Sequence, residues 1–148
     1  MITVVQRVKK ASVTVNGAVI GAINTGITAL VAVERNDRAK DADRLLERIL
    51  NYRIFPDENG RMNLSLRAIQ GELLLVPQFT LAADTHSGSR PSFTGSASPD
   101  KGRELFAYLQ ETSGKIYPGT QYGQFGSDMQ IELTNDGPVT FILKVPAA

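Results

Sequence analysis

Four consecutive aliphatic residues, Leu73-Leu74-Leu75-Val76, bounded by Gly71 and Pro77, constrain more than any other feature what this chain can fold into. The run is too short for a buried helix, and a continuous apolar stretch between turn formers reads as a strand buried on both faces. Such a strand belongs in the middle of a sheet. Proline has no N–H to give to a ladder, so regular pairing is expected to stop at Pro77 and to leave the backbone of Gln78, Phe79 and Thr80 free for another use. Free amides at a strand end make an oxyanion or carbonyl site. A strand running into a plain loop accounts for the same residues.

The 148 residues suffice for one domain, 1–148, with a single core. With 16 basic and 15 acidic residues there is no bulk electrostatic drive toward nucleic acid or membrane, so any RNA contact must be local. Cysteine is absent, which excludes disulfides, thiolate metal sites and a cysteine nucleophile. Met1 to Arg7 shows no basic segment followed by an apolar one, and no run approaches membrane-spanning length. The expectation is a soluble, cytoplasmic protein with no membrane partner.

Taken in order, Ile2, Val4 and Val8 share one face of a first strand, with Thr3, Arg7 and Lys9 beside Val5 on the other. Asn16-Gly17 between Ser12–Val15 and Ala18–Ile20 predicts a hairpin, because both residues suit the positive φ angles of a type I′ turn. Gly26 to Val33 reads as a second central strand. Ala42, Leu45, Leu46 and Ile49 recur at helical spacing, so residues 39–51 form an amphipathic helix that Asp37 or Asp41 caps, with Arg44 and Arg48 solvated. Tyr52 to Phe55 reads as a short strand before the turn at residues 56–60. Ala82 to Ser98 is a long Ser/Gly/Pro-rich loop, which is either functional or a surface excursion. A second helix starts at Ser98-Pro99 and stops at Gly114. Met129–Leu133 and Val139–Val145 alternate as strands and predict a C-terminal hairpin turning at Asn135-Asp136-Gly137-Pro138. The fold class is α+β, with mixed or antiparallel sheets forming a barrel-like core and two helices.

That turn carries a proline at its exit, a constraint that a plain hairpin does not need. Only about one X-Pro bond in twenty is cis in folded proteins, so the turn alone predicts trans. Gln78-Phe79-Thr80-Leu81 together with Asn135-Asp136-Gly137-Pro138-Val139-Thr140 closely resembles the paired signature of the D-aminoacyl-tRNA deacylases, Ser-Gln-Phe-Thr-Leu and Asn-X-Gly-Pro-Val-Thr. The resemblance spans the chain and takes in Val5-Gln6-Arg7-Val8, Ala11-Ser12-Val13, Asn63, Arg90–Gly95 and Phe125-Gly126 with Asp128-Met129.

The resemblance implies an enzyme that hydrolyses the ester between a D-amino acid and tRNA, D-tyrosyl-tRNA among others and to some extent glycyl-tRNA. It implies a homodimer with active sites at the interface, where a cis Gly137-Pro138 of one subunit enters the partner's pocket. Gln78, Phe79 and Thr80 would form the catalytic strand end. Gly137 and Pro138 would reject L side chains, Arg7 would fix that segment, and Phe125 and Met129 would line the adenosine pocket, although apolar hairpin residues serve equally as core. Water would be the nucleophile, assisted by the terminal 2′-hydroxyl of the tRNA. One departure is Pro77, where the family has serine, so a hydroxyl able to meet the substrate amino group is missing.

The residue inventory suits that chemistry. His86 is the single histidine, which makes both a Ser-His-Asp triad and a zinc site improbable, and neither a metal nor a cofactor is expected. Scarce catalytic side chains fit catalysis by backbone donors and substrate groups, and they also fit a non-enzyme. A relative that clears glycine from the wrong tRNA and a non-catalytic nucleic-acid module using Arg7, Lys9 and Lys10 are the alternatives.

Overall fold

The computed structural model describes residues 1–148. β1 (Ile2–Val15) is the spine. Its first half pairs antiparallel with β3 (Gly26–Ala32), its second half with β2 (Ala18–Ile23), and its other edge with β8 (Gln130–Lys144) along nearly the whole length. β3 pairs in parallel with β6 (Glu72–Pro77), and β6 with the short β7 (Gln121–Tyr122). Residues Phe55–Pro56 (β4) and Met62–Leu64 (β5) make a separate two-stranded ribbon.

The sheet curls until its ends almost meet. Gly21 of β2 permits this approach, since a Cβ there would stand 2.9 Å from the Tyr122 carbonyl oxygen of β7. A nearly closed, barrel-like sheet has two insides to fill, and β6 supplies both. Leu73 and Leu75 join the large cluster under the helices, while Leu74 and Val76 join a smaller one with Val8, Ala11, Val13 and Ile23 within the curl. The two-faced burial expected of this strand is therefore present, and Gly26 is what lets β3 lie against it: a Cβ at position 26 would overlap the Glu72 carbonyl.

The two expected helices are α1 (Ala39–Asn51) and α3 (Pro99–Ile116), which cross the outer face of the sheet; a single turn, α2 (Leu66–Ile69), adds a third. Asp41 closes the start of α1 by accepting from the Arg38 amide at 2.9 Å, whereas Asp37 turns inward and binds the Glu34 amide and the Met1 amine. Ser98 caps α3 through the Lys101 amide, with Pro99 in its first turn as predicted. No helix is long and apolar enough to cross a membrane.

Some expectations fail. The strand expected at Tyr52–Phe55 is reduced to Phe55–Pro56, with Tyr52 to Ile54 outside any strand. Thr3 and Val5, on the more polar-looking face of β1, are fully buried, while Ile2 and Val4 are half-buried, because β1 is covered on both sides. The C-terminal hairpin does not exist either. β8 runs on as one strand of 15 residues against β1, and Asp136 to Val139 bulge out between two paired positions, Asn135 opposite Val8 and Thr140 opposite Gln6. Alternation on either side of Asn-Asp-Gly-Pro is the same for a turn and for a bulge. The long partner strand is what keeps the chain going in one direction.

Candidate active site

At the end of β6 the pairing with β3 runs through Pro77, which lies opposite Val31, rather than stopping there, and the chain then enters a 3-10 turn, Phe79–Ala82. The amide of Gln78 is not free as expected: it donates to the Val31 carbonyl at 2.8 Å and ties the strand end to β3. Phe79 and Thr80 open the turn, where the first N–H groups have no partner within the helix. Three expected amide donors are thus reduced to two. Gln78 contributes its side chain instead, its Nε2 donating to Thr80 Oγ1 and so fixing where that hydroxyl points. The Phe79 ring is 59% exposed, and its one aromatic neighbour is Phe93 of the long loop, with centroids 5.3 Å apart.

Beside this strand end lies a groove of about 580 Å³. Pro77, Gln78 and Phe79 form one wall, Phe125 and Met129 another, and Gly102 with Phe106 of α3 the base. Two glycines make the groove possible. A Cβ on Gly102 would meet the Phe125 ring at 3.1 Å, and one on Gly123 would stand 2.9 Å from Met129 Sδ and 3.1 Å from Pro77 Cδ. Phe125 and Met129 are half-buried: each packs against a hydrophobic cluster on one side and lines the groove on the other.

Arg7, Gly137 and Pro138 are brought together elsewhere. Arg7 alone faces the bulge of residues 136–139; its Nε donates to the Asp136 carbonyl at 2.9 Å, with the Asp136 carboxylate at 3.7 Å, and its Nη1 to the Ile54 carbonyl at 2.8 Å. Asn135, not singled out for a role, spans the bulge: its Oδ1 accepts from the Val139 amide at 2.7 Å and its Nδ2 donates to Thr140 Oγ1 at 3.0 Å. Its place at the head of the motif was the available signal. Gly137 has φ +147°, and the Gly137–Pro138 peptide is cis, as the resemblance implied. Both residues are exposed.

The two halves do not meet within one chain. Gly137 and Pro138 are absent from the groove wall, and Val31, which holds Gln78, pairs with Thr3, four residues along β1 from Arg7. Four strand residues span roughly 13 Å.

A model of the family described as D-Tyr-tRNA(Tyr) deacylase matches residues 4–144. The chain belongs to that family. Curated D-aminoacyl-tRNA deacylases resemble it end to end. That of Nitrosococcus oceani is 53% identical, covering 100% of this chain and 96% of its own; that of Methylococcus capsulatus is 55% identical, covering 99% and 95%. A solved structure described as c-Myc DNA Unwinding Element Binding Protein superposes with a TM-score of 0.92 at 37% identity, covering 99% of this chain and 100% of its own. A probable eukaryotic D-amino acid tRNA deacylase shares the fold, with a TM-score of 0.83 at 13% identity, covering 96% and 97%.

This deacylase is therefore an enzyme, a hydrolase acting on aminoacyl-tRNA. Its structure gathers no three His, Cys, Asp or Glu side chains that could hold a metal ion. His86 lies exposed in the long loop, where its amide donates to Asp84, outside the groove wall. Gln78 and Phe79 line the groove while Thr80 lies outside it, and the other polar side chains of the lining are Ser98, Arg103, Ser127 and Asp128.

Proposed function

We propose that this deacylase cleaves the ester joining a D-amino acid to the terminal adenosine of tRNA, D-tyrosyl-tRNA among its substrates, and releases free D-amino acid and tRNA. The observation that carries the reading is the pair of open amides at Phe79 and Thr80 beside a groove walled by Phe125 and Met129. The terminal adenosine occupies the groove. The ester carbonyl then lies at the two amides, which stabilise the negative charge that builds on its oxygen as water attacks. The 2′-hydroxyl of the terminal ribose assists the water, and the ribose oxygen departs with a proton.

Handedness requires a rigid object on one side of the α-carbon, because D- and L-residues carry the same groups. The Gly137-Pro138 segment, braced by Arg7 and Asn135, is such an object, and its main-chain carbonyls occupy the space an L side chain needs. Since groove and bulge lie apart in one chain, the reading calls for a homodimer with each bulge in the partner's pocket. Selection by rejection admits glycine to some extent, having no side chain to exclude. The enzyme then acts in the cytoplasm, where tRNA is charged.

Incubation with D-tyrosyl-, L-tyrosyl- and glycyl-tRNA, followed by measurement of ester loss, tests the proposal. The D-ester is expected to disappear, the L-ester to survive and the glycyl ester to disappear in part. Equal loss of D- and L-esters would refute rejection by the bulge. Glycyl ester lost faster than the D-ester would mark a glycine-clearing enzyme, and three intact esters a binding module.

A further inference from the structure

A second groove, of about 460 Å³, adjoins the first and shares Arg103, Phe106 and Phe125 with it. It runs between α3 and residues 121–125. Arg103 is the only charged side chain among its ten lining residues, and it takes part in none of the ion pairs of the chain. The guanidinium instead stands over the Phe125 ring, 5.0 Å from its centroid. Gly126 lies alongside, where a Cβ would only touch Arg103 Nη2 in ordinary contact at 3.4 Å.

The remainder of the groove is neutral and hydrogen-bonding. Gln110, Gln121 and Gln124 line it, and its Tyr122 ring is fixed through a hydroxyl that donates to the Gln110 carbonyl at 3.0 Å and meets Ser113 Oγ at 2.8 Å. One uncompensated guanidinium, an aromatic wall and several side-chain amides are what a single nucleotide requires. The cation takes the phosphodiester, the ring system stacks the base, and the amides meet its edge.

We infer that this groove holds the nucleotide next to the terminal adenosine of the CCA end of tRNA, with Arg103 on the phosphodiester that links the two. The inference rests on placing that adenosine in the first groove. A strand continuing from there must cross the shared wall, and the unpaired cation stands on that wall. No carboxylate lines the second groove, so a phosphate reaching Arg103 meets no repulsion from that side, Asp128 belonging to the lining of the first groove alone.

Calorimetric titration of the intact protein with adenosine and with the dinucleotide cytidylyl-3′,5′-adenosine tests this without ester chemistry. The dinucleotide is expected to bind about tenfold more tightly, the scale of one stacked base. R103A removes that gain and R103K keeps part of it. A107W, which fills the second groove from the exposed face of α3, also removes the gain while leaving the charge of Arg103 in place. A dinucleotide held no more tightly than adenosine, or a gain that survives R103A, overturns the inference. Parallel hydrolysis of D-tyrosyl-tRNA keeps the two readings separate. Hydrolysis without dinucleotide preference discards the second groove and leaves the deacylase mechanism standing, whereas preference without hydrolysis discards the mechanism and leaves the nucleotide assignment.

Discussion

Gly137 is the residue at which local geometry and proposed chemistry meet. A Cβ there would stand 2.6 Å from Val139 Cγ2 and 2.8 Å from the Val139 amide nitrogen, on a backbone already at φ +147°. G137A is expected to destabilise the fold by more than about 1 kcal/mol and, by displacing the bulge, to admit L-tyrosyl esters. Urea unfolding combined with the ratio of D- to L-ester hydrolysis reads both effects, and an unchanged ratio would separate Gly137 from selectivity. His86 makes the opposite case. Its side chain is exposed and outside the groove wall, so H86A should hydrolyse D-tyrosyl-tRNA within a few-fold of the wild type. A loss near a thousandfold, the scale of removing a triad member, would sink catalysis by backbone donors. Gln78 shows how a residue can belong to a site by a route the sequence conceals. Its amide serves β3 and only its side chain reaches Thr80.

Among the elements, α1 depends on one buried carboxylate. Burial works against the charge of Asp41, but amide hydrogen bonds from Arg38 and Ala148, with the N-terminal amine and the Arg38 guanidinium nearby, outweigh it and hold the carboxyl below its ordinary 3.8. A depressed carboxylate contributes stability that is fully present above the unfolded value and is lost as pH falls through the lower folded one. D41N should therefore be less stable at pH 7 by about 1 kcal/mol, the usual worth of such a cap. Its deficit should narrow as pH drops below 3.8. Urea midpoints of both proteins from pH 7 to pH 2.5 measure this, and a constant gap would remove Asp41 from the acid response. The same region shows the limit of local reading: the spacing at residues 39–51 fixed the helix, but Asp37 and Asp41 were equal candidates as caps until the buried Met1 amine claimed Asp37.

At the scale of the whole molecule, the proposed site needs two chains, which makes it open to complementation. One variant carries G137A, and the other carries T80P, which removes one of the two open amides. In a mixed dimer one pocket keeps intact amides and faces an intact bulge, so mixing after partial unfolding and refolding should restore D-selective hydrolysis to about a quarter or less of the wild-type rate, since half the dimers are mixed and each has one good site. No recovery, or sedimentation as a monomer at micromolar concentration, would contradict the shared site. The sequence by itself determined what depends on neighbours in the chain: the doubly buried strand at Leu73–Val76, the Asn16-Gly17 turn with φ of 49° and 78°, the stripe of α1, the Ser98-Pro99 start of α3 and the family signature. What only the tertiary structure decided depends on a partner strand. Hydrophobic alternation has the same period whether a chain turns back or bulges and continues, so β8 could be recognised only with β1 alongside it. Likewise, no local pattern tells which of three adjacent amides a neighbouring carbonyl will take, and the Val31 oxygen took that of Gln78.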